Sequence, residues 1–231
     1  MTLARYDHKY ESRMMSPRLN PAKFSRGWLN APEHRLVISS IEESAEKTSA
    51  EWFVELGVKH AGTSRTIVDV LNACARRSRL LGVDLDEKAR PHWKEQLAGR
   101  AGPKCYVAEA RLEVAKSYDP EPAALVPELG AAWILVDACH CRTCVEADIA
   151  RWAPKVAVGG LMVFHDTDWR VQLRKPCQSM GHDKPERPGV YDAVMNSLIL
   201  REAFHLAQAL EGGTDRKGDF WEGTQVWRRH A

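Results

Sequence analysis

The sequence lacks several features that would assign a location or a partner directly. No apolar run approaches the roughly 20 residues that a membrane-spanning helix needs. The formal net charge is only +2, which gives no gross electrostatic case for binding nucleic acid or an anionic membrane. The segment from Met1 to Met15 is charged and has no signal-peptide apolar core. We therefore expect a cytoplasmic protein whose partner is a small molecule.

The common phosphate-binding motifs are also missing. Residues 57–64 read G-x-x-x-x-G-T-S, and Thr63 stands where a P-loop requires a lysine to balance phosphate charge. Val58 and Lys59 follow Gly57, so the dinucleotide fingerprint G-x-G-x-x-G is absent. These absences argue against nucleoside triphosphates and nicotinamide dinucleotides as ligands.

A second pair of cysteines that would complete a zinc site is not evident either. Cys139, Cys141 and Cys144 form a C-x-C-x-x-C cluster, which invites a zinc hypothesis. Structural zinc sites usually combine two separated ligand pairs, and only Cys177 and His182 are nearby candidates. The favoured interpretation is free thiols near a cofactor site.

From residue 51 onwards, apolar strand patterns alternate with helix patterns, which indicates an α/β fold with a mostly parallel sheet. We predict one doubly wound domain over residues 49–231, preceded by a helical extension over residues 1–48. The predicted strands are Trp52–Leu56, Leu80–Leu85, Lys104–Val107, Ala132–Asp137, Val156–His165, Phe204–Leu210 and Thr224–Arg228, the last two forming an antiparallel hairpin. The predicted helices are Pro32–Ala45, Arg65–Ala75, Asp86–Leu97, Ala110–Tyr118, Thr143–Trp152 and Val190–Leu200.

The first two strands suggest a nucleoside cofactor. Gly57 and Gly62 let the backbone after Trp52–Leu56 lie against a ligand, and the next helix presents unpaired N–H groups there. Asp84, at the tip of the following strand, is placed to accept ribose hydroxyls. A ribose site without a phosphate cradle suits S-adenosylmethionine, whose cationic end Glu55 could face. The alternative is that the glycines serve only the turn.

Polar residues also follow the other predicted strands. Because ligands of open parallel sheets sit beyond the carboxyl ends of the strands, these residues should gather at one edge. They are Gly57 to Ser64, Asp84, Glu109, Asp137 to His140, and His165 to Asp168.

Two segments resemble the class I S-adenosylmethionine-dependent methyltransferases. Residues 137–140 read D-A-C-H, and residues 159–166 read G-G-L-M-V-F-H-D. They are similar to the D-G-D-H and G-G-x-x-x-x-H-D segments of a subgroup that includes macrolide sugar O-methyltransferases and cephalosporin hydroxylase-like proteins, several of which use magnesium. The resemblance extends over residues 51–228 and implies a Rossmann-like, seven-stranded sheet with helices on both faces.

The resemblance also implies roles for single residues. The implied cofactor-binding residues are Glu55, Gly57, Gly62, Ser64, Asp84, Glu109 and Asp137. The implied catalytic residues are His140, His165 and Asp166, and the implied metal ligands are Asp137, Asp166 and Asp168. Ala138 and Cys139 depart from the Gly-Asp of the subgroup, so one carboxylate is missing and the case for magnesium is weaker.

We therefore predict an O-methyltransferase for a small hydroxylated acceptor such as a sugar or a phenol, with S-adenosylmethionine as cofactor. Assistance by Mg²⁺ is left open, as is a homo-oligomeric state. The alternative is a catalytically inactive cofactor-binding or assembly protein of the same fold, which the cysteine at position 139 would explain.

Overall fold

The computed structural model describes residues 19–23, 29–170, 189–214 and 220–230. Within them, nine strands and seven α-helices follow one another along the chain. The strands are β1 (Trp52–Leu56), β2 (Ser78–Asp84), β3 (Val107–Val114), β4 (Ala131–Val136), β5 (Val156–His165), β6 (Phe204–Leu210), β7 (Gly213–Thr214), β8 (Phe220–Trp221) and β9 (Thr224–Arg229). The helices are α1 (Ala31–Lys47), α2 (Gly62–Ala73), α3 (Ala89–Leu97), α4 (Pro120–Ala124), α5 (Arg142–Trp152), α6 (Val190–Asn196) and α7 (Leu198–Ala203).

Seven of the described strands form one sheet, in the order β3-β2-β1-β4-β5-β9-β6. The pairs from β3 through β5 are parallel, whereas β9 runs antiparallel to both β5 and β6. The order of the strands reverses between β1 and β4: β2 and β3 extend the sheet on one side of β1, and β4 and β5 extend it on the other. Open α/β sheets bind ligands at such a point. This order confirms the predicted doubly wound fold with an antiparallel C-terminal pair; β7 and β8 form a small separate ribbon.

The apolar residues of the central strands divide between two cores, one on each face of the sheet. Phe53 of β1 and Trp133 of β4 face the core formed with α1, α2 and α3. Val54 and Ile134, one residue further along, face the core formed with α5, α6 and α7. Because side chains alternate along a strand, a sheet covered on both faces reads as a continuous apolar run. Helices therefore lie on both faces, as predicted.

Helix α1 packs on the sheet and begins at a well-defined cap. The Asn30 side chain accepts a hydrogen bond from the Glu33 N–H, and the Glu33 carboxylate accepts one from the Asn30 N–H, which is a capping box. The indole N–H of Trp133 donates to the hydroxyl of Ser40 at 2.9 Å, which ties α1 to β4. The division of the chain at residue 48 stays a prediction, although α1 shares its core with the sheet.

Three predicted elements were wrong. Residues 110–118 were predicted as a helix and 104–107 as a strand, but β3 occupies Val107–Val114. The helix predicted over residues 190–200 is two short helices, and the second is capped by Ser197, which accepts from the Leu200 N–H. No helix among the described residues has both the length and the apolar character needed to cross a membrane.

Candidate active site

A cavity of about 990 Å³ lies at the carboxyl ends of the five parallel strands, β1 to β5. Its walls come from the loops that follow these strands, together with the start of α1 and the segment that precedes β9. The cavity therefore occupies the position at which an open parallel sheet binds its ligand. It is also the point where distant parts of the sequence meet.

The loop between β1 and α2 lies against the end of β4. Gly57 has a φ of +93°, and a Cβ atom there would lie 2.1 Å from the carbonyl oxygen of Asp137. Lys59 and Ala61 also have positive φ values, of +50° and +56°. Only glycine fits at position 57, since a side chain would force the two loops apart. Gly57 and Gly62 both line the cavity.

The carboxylate of Asp84 holds this loop in place. One of its oxygens accepts hydrogen bonds from the N–H groups of Val58 and Lys59, at 2.8 and 2.7 Å. The other accepts from the N–H of Asp86 at 2.8 Å. A carboxylate has about four acceptor positions, so Asp84 keeps capacity for roughly one further hydrogen bond. Asp84 can therefore accept about one hydrogen bond from a ligand rather than two.

Glu55, on β1, places a deeply buried carboxyl group in the cavity wall, with 1% of its surface exposed. The hydroxyl of Ser64, in α2, donates a hydrogen bond to this carboxyl group. Burial raises the pKa of Glu55 well above its ordinary value, and the nearby charges of Asp137 and Asp84 add to the effect. A cationic group entering the cavity would favour the ionised form of Glu55.

The side chains at the ends of β4 and β5 form a histidine–aspartate cluster, which comprises Asp137, His140, His165 and Asp166. Nδ1 of His140 lies 2.9 Å from an oxygen of Asp166. Nδ1 of His165 lies 3.2 Å from oxygens of both Asp137 and Asp166. Asp166 adopts a left-handed conformation with φ +57°, which turns its carboxylate towards both imidazoles.

The charges of this cluster stabilise one another. Burial alone would lower the pKa of His140, but Asp137 and Asp166 outweigh it and raise that pKa to about 10. Burial likewise opposes the charge on His165, yet the same two carboxylates hold its pKa well above the ordinary range. Burial would raise the pKa of Asp166, whereas the two histidines hold it far below its usual value. These shifts favour the charged forms of His140, His165 and Asp166.

The donor atoms of the cluster fit a divalent cation. Asp137, His140 and Asp166 each offer one ligand atom, and these atoms lie within 4.8 Å of one another; His165, Asp166 and Glu222 form a second such group. One oxygen of Asp166 is buried without a well-aligned hydrogen bond. Mixed imidazole and carboxylate donors suit Mn²⁺ or another transition metal better than Mg²⁺, which prefers oxygen.

Two residues implied by the resemblance lie elsewhere. Glu109 is in the middle of β3, where its half-exposed carboxylate lies 3.7 Å from Arg79. The misplaced strand prediction is the reason, because it set the end of β3 at residue 107. Asp168 is bound by Arg170, whose Nε lies 2.7 Å from its carboxylate, and Asp168 belongs to neither group of potential metal ligands.

The cysteine cluster lies beside the cavity. Cys139, Cys141 and Cys144 are buried and pack against Tyr118. Among the described residues, no cysteine belongs to a group of potential metal ligands. The nearby candidates Cys177 and His182 lie outside the described residues.

Sequence reasoning missed two acidic residues of the site. Glu33 of α1 is 2% exposed, and its carboxylate lies 3.3 Å from Nε2 of His165. The N–H of Glu222 donates to the same carboxylate, at 3.1 Å. The capping-box spacing from Asn30 to Glu33 predicts the start of a helix, but nothing local indicates a contact with a strand more than 100 residues away.

Comparison with known proteins agrees with this geometry. Residues 54–167 match a family model described as a methyltransferase domain. A search of curated proteins finds no match. Residues 54–167 are therefore similar to a methyltransferase domain, and the seven-stranded sheet has the Rossmann-like architecture of the class I S-adenosylmethionine-dependent methyltransferases.

Solved structures share the fold at low sequence identity. The O-methyltransferase TomG from Streptomyces achromogenes, in complex with S-adenosylmethionine, is 13% identical with a TM-score of 0.61, covering 96% of this chain and 95% of TomG. CalS11, a TDP-rhamnose 3'-O-methyltransferase of calicheamicin biosynthesis, is 16% identical with a TM-score of 0.56, over 84% of this chain and 77% of CalS11. The N-methyltransferase NodS from Bradyrhizobium japonicum is 15% identical with a TM-score of 0.56, over 87% of this chain and 99% of NodS. O- and N-methyltransferases thus share this architecture, which leaves the acceptor to be argued from the site.

Proposed function

We propose that the protein transfers a methyl group from S-adenosylmethionine to a hydroxyl group of a small acceptor. The observation that carries the proposal is that the histidine–aspartate cluster and the buried carboxyl of Glu55 share one cavity. The cluster supplies imidazoles that, in their neutral form, can take a proton from a hydroxyl, and Glu55 supplies a partner for a cation. TomG and CalS11 are O-methyltransferases with the same fold, and their activity agrees with this proposal.

The cofactor is proposed to lie along the loop between β1 and α2. Its adenosine would extend from Gly57 towards Asp84, which keeps one acceptor position for a ribose hydroxyl. Its sulfonium and ammonium charges would lie near Glu55, where the low dielectric strengthens their attraction. The loop leaves no phosphate cradle, which is consistent with a cofactor that has no phosphate.

The reaction is an in-line displacement at the methyl carbon. The acceptor oxygen forms the new C–O bond while the C–S bond breaks, and sulfur leaves as a neutral thioether. Alignment of the two reactants contributes about 7–11 kcal/mol to such a step. The hydroxyl proton would pass to His140, whose half-exposed ring Asp166 orients from the buried side.

A divalent cation would allow His140 to act as a base, because it would lower the pKa of the imidazole. With a pKa of about 10, His140 is protonated at neutral pH and cannot accept a proton. Asp137 and Asp166, with Nδ1 of His165, would hold the cation, which leaves His140 as the base. Positive charge there would lower the pKa of both the histidines and a bound hydroxyl.

Calorimetry with S-adenosylmethionine, and with NAD as the negative control, tests the cofactor. A methylation assay on sugars, phenols and amines, with EDTA and with Mn²⁺ or Mg²⁺ restored, tests the acceptor and the metal. We expect binding of S-adenosylmethionine alone and metal-dependent methylation of a hydroxyl. Absence of binding would overturn the proposal, and methylation of amines only would overturn the acceptor.

A second candidate function is a cofactor-binding protein that does not catalyse. Cys139 favours it, because this buried thiol occupies a position beside the cluster where an acidic residue would supply a further oxygen ligand. Binding of S-adenosylmethionine without turnover across the whole panel would support this candidate.

A further inference from the structure

The N-terminal helix contributes a carboxylate to the candidate active site. Glu33 lies in the first turn of α1, yet it is 2% exposed and points towards the end of β5. One of its oxygens lies 3.3 Å from Nε2 of His165, and the other accepts the Glu222 N–H at 3.1 Å. A buried carboxylate is costly unless it is paired, so these contacts need an explanation beyond helix capping.

The two nitrogens of His165 face opposite partners. Nδ1 lies 3.2 Å from oxygens of Asp137 and Asp166, and Nε2 lies 3.3 Å from Glu33. The His165 side chain is 12% exposed and has no well-aligned hydrogen bond with the described residues, so the direction of its ring depends on these contacts with carboxylates. Contacts of this kind often tighten only when the ligand is bound.

We propose that Glu33 is a positioning residue that accepts the Nε2–H of His165 and so directs Nδ1 towards Asp137 and Asp166. A carboxylate beside one ring nitrogen of a histidine fixes the orientation of the ring. Glu33 therefore determines which edge of the His165 ring faces Asp137 and Asp166. The role in turnover rests on the function proposed above, whereas the orientation of the ring does not.

This proposal makes α1 part of the active site rather than only a packing helix. Glu33 also accepts a hydrogen bond from the Asn30 N–H at 3.3 Å, so one side chain both caps the start of α1 and orients His165. The second contact through Glu222 connects it with the segment before β9. Three segments far apart in sequence are thereby joined at His165.

The test compares Glu33→Gln with Glu43→Gln. Glutamine keeps the capping box at position 33 but removes the charge that attracts the Nε2–H. Glu43 is a buried carboxylate of the same helix that pairs with Lys47 and Arg228 instead, so its variant controls for loss of a buried charge on α1. Circular dichroism and the thermal unfolding midpoint establish that each variant is folded.

The first readout is the nitrogen-15 and proton NMR spectrum of the histidine rings, with His165 assigned by the spectrum of His165→Gln. We expect a downfield, slowly exchanging Nε2–H proton for His165 in the wild type and in Glu43→Gln. That proton should move upfield or exchange rapidly in Glu33→Gln, and Glu33→Asp should restore it in part. If Glu33→Gln does not fold, absence of the protected Nε2–H signal in the wild type would by itself overturn the proposal.

The second readout is the affinity for Mn²⁺ alone, measured by calorimetry. Loss of a carboxylate that orients a ligating histidine typically weakens metal binding about 10- to 100-fold. We expect this loss for Glu33→Gln, with the affinity for S-adenosylmethionine unchanged. Unaltered Mn²⁺ affinity together with an unaltered Nε2–H signal would overturn the proposal. A wild type that binds no Mn²⁺ and transfers no methyl group would refute the metal-assisted function, while the Nε2–H signal would still decide the role of Glu33.

Discussion

The two sides of the cavity are held in different ways. On the side of β1 and β2, backbone N–H groups satisfy the carboxylate of Asp84, and Gly57 lies directly against the backbone of Asp137. On the side of β4 and β5, side-chain charges face one another, and both ring nitrogens of His165 lack a well-aligned hydrogen bond. The first side is fixed by aligned hydrogen bonds, whereas the second depends on attraction between charges.

This difference indicates which side of the cavity lowers the stability of the folded protein for the sake of function. Buried charges that compensate only one another are expensive to desolvate, and such pairs seldom add to stability. Hydrogen bonds from backbone N–H groups to a carboxylate, by contrast, stabilise the loop that they connect. We therefore expect substitutions on the first side to affect folding and cofactor binding, and those on the second side to affect chemistry.

The largest expected effect is on the second side. Asp166→Asn should lower the rate of methyl transfer about 10²- to 10⁴-fold, the range for loss of general acid–base catalysis, because His140 loses its buried partner. Asparagine tolerates the left-handed φ of +57°, so the backbone should stay as it is. The measurement is kcat with saturating S-adenosylmethionine, alongside calorimetry of cofactor binding. Activity near that of the wild type would exclude both a base-orienting and a metal-binding role for Asp166.

On the first side, Gly57→Ala should destabilise the protein by about 2–4 kcal/mol, since it combines a strained φ with a clash. Urea denaturation gives this free energy of unfolding. Gly99→Ala is the matched control: Gly99 also has a positive φ, of +69°, but a Cβ there would meet no atom within 4 Å. The control should lose only about 1 kcal/mol. Equal losses for the two variants would show that contact with Asp137 is not what requires glycine.

Asp84→Ala should weaken S-adenosylmethionine binding about 10- to 100-fold, because hydrogen bonds to a charged group contribute about 1.5–3 kcal/mol. The loop at Val58 and Lys59 would lose its acceptor as well. Calorimetry measures the dissociation constant. Asp86→Ala, which removes an exposed neighbouring carboxylate, should have a smaller effect. If the two variants bind alike, the ribose is not held by Asp84.

The smallest expected effect on methyl transfer concerns a buried carboxylate that does not line the cavity. Neither oxygen of Asp148, in α5, accepts a well-aligned hydrogen bond from the described residues. Burial raises the pKa of Asp148 from an ordinary 3.8 to about 8, although the nearby Ser117 hydroxyl opposes this shift. Between these pH values the unfolded chain has lost a proton that the folded protein keeps, so stability should fall as pH rises from 4 to 8.

Asp148→Asn removes this titration, so the stability of the variant relative to the wild type should rise as the pH rises from 5 to 8. Denaturant unfolding at pH 5 and pH 8, compared between wild type and variant, measures the effect. A variant whose stability keeps the full pH dependence of the wild type would show that Asp148 does not titrate in this range.

Much of the fold was predictable from the sequence. The bounds of β1 and β5 were predicted correctly, because both strands are mainly apolar runs, and β1 is followed by a glycine whereas β5 ends at a polar residue. β3 was missed because residues 107–114 are rich in alanine, glutamate and arginine, which favour helices in isolation. Pairing with β2 overrides that preference, as is common for strands at the edge of a sheet.

The candidate site was predictable only where motif and strand end coincide. The change in hydropathy shows where the strands end, and Gly57, Asp84, His165 and Asp166 lie at those ends. Their convergence at one edge of the sheet could therefore be inferred. Glu33 and Asp168 could not be assigned in this way. Glu33 reaches His165 because α1 packs on the sheet. Asp168 forms a salt bridge with Arg170 instead.

The sequence by itself determined the order of strands and helices and the edge at which polar residues collect, because local hydrophobic pattern and chain connectivity govern both. Only the tertiary structure decided which acidic groups meet which histidine. Those contacts join α1, β5 and the segment before β9, and their geometry depends on how the helices pack on the sheet. No pattern within a few residues carries that information, since it arises from burial of surfaces that are distant along the chain.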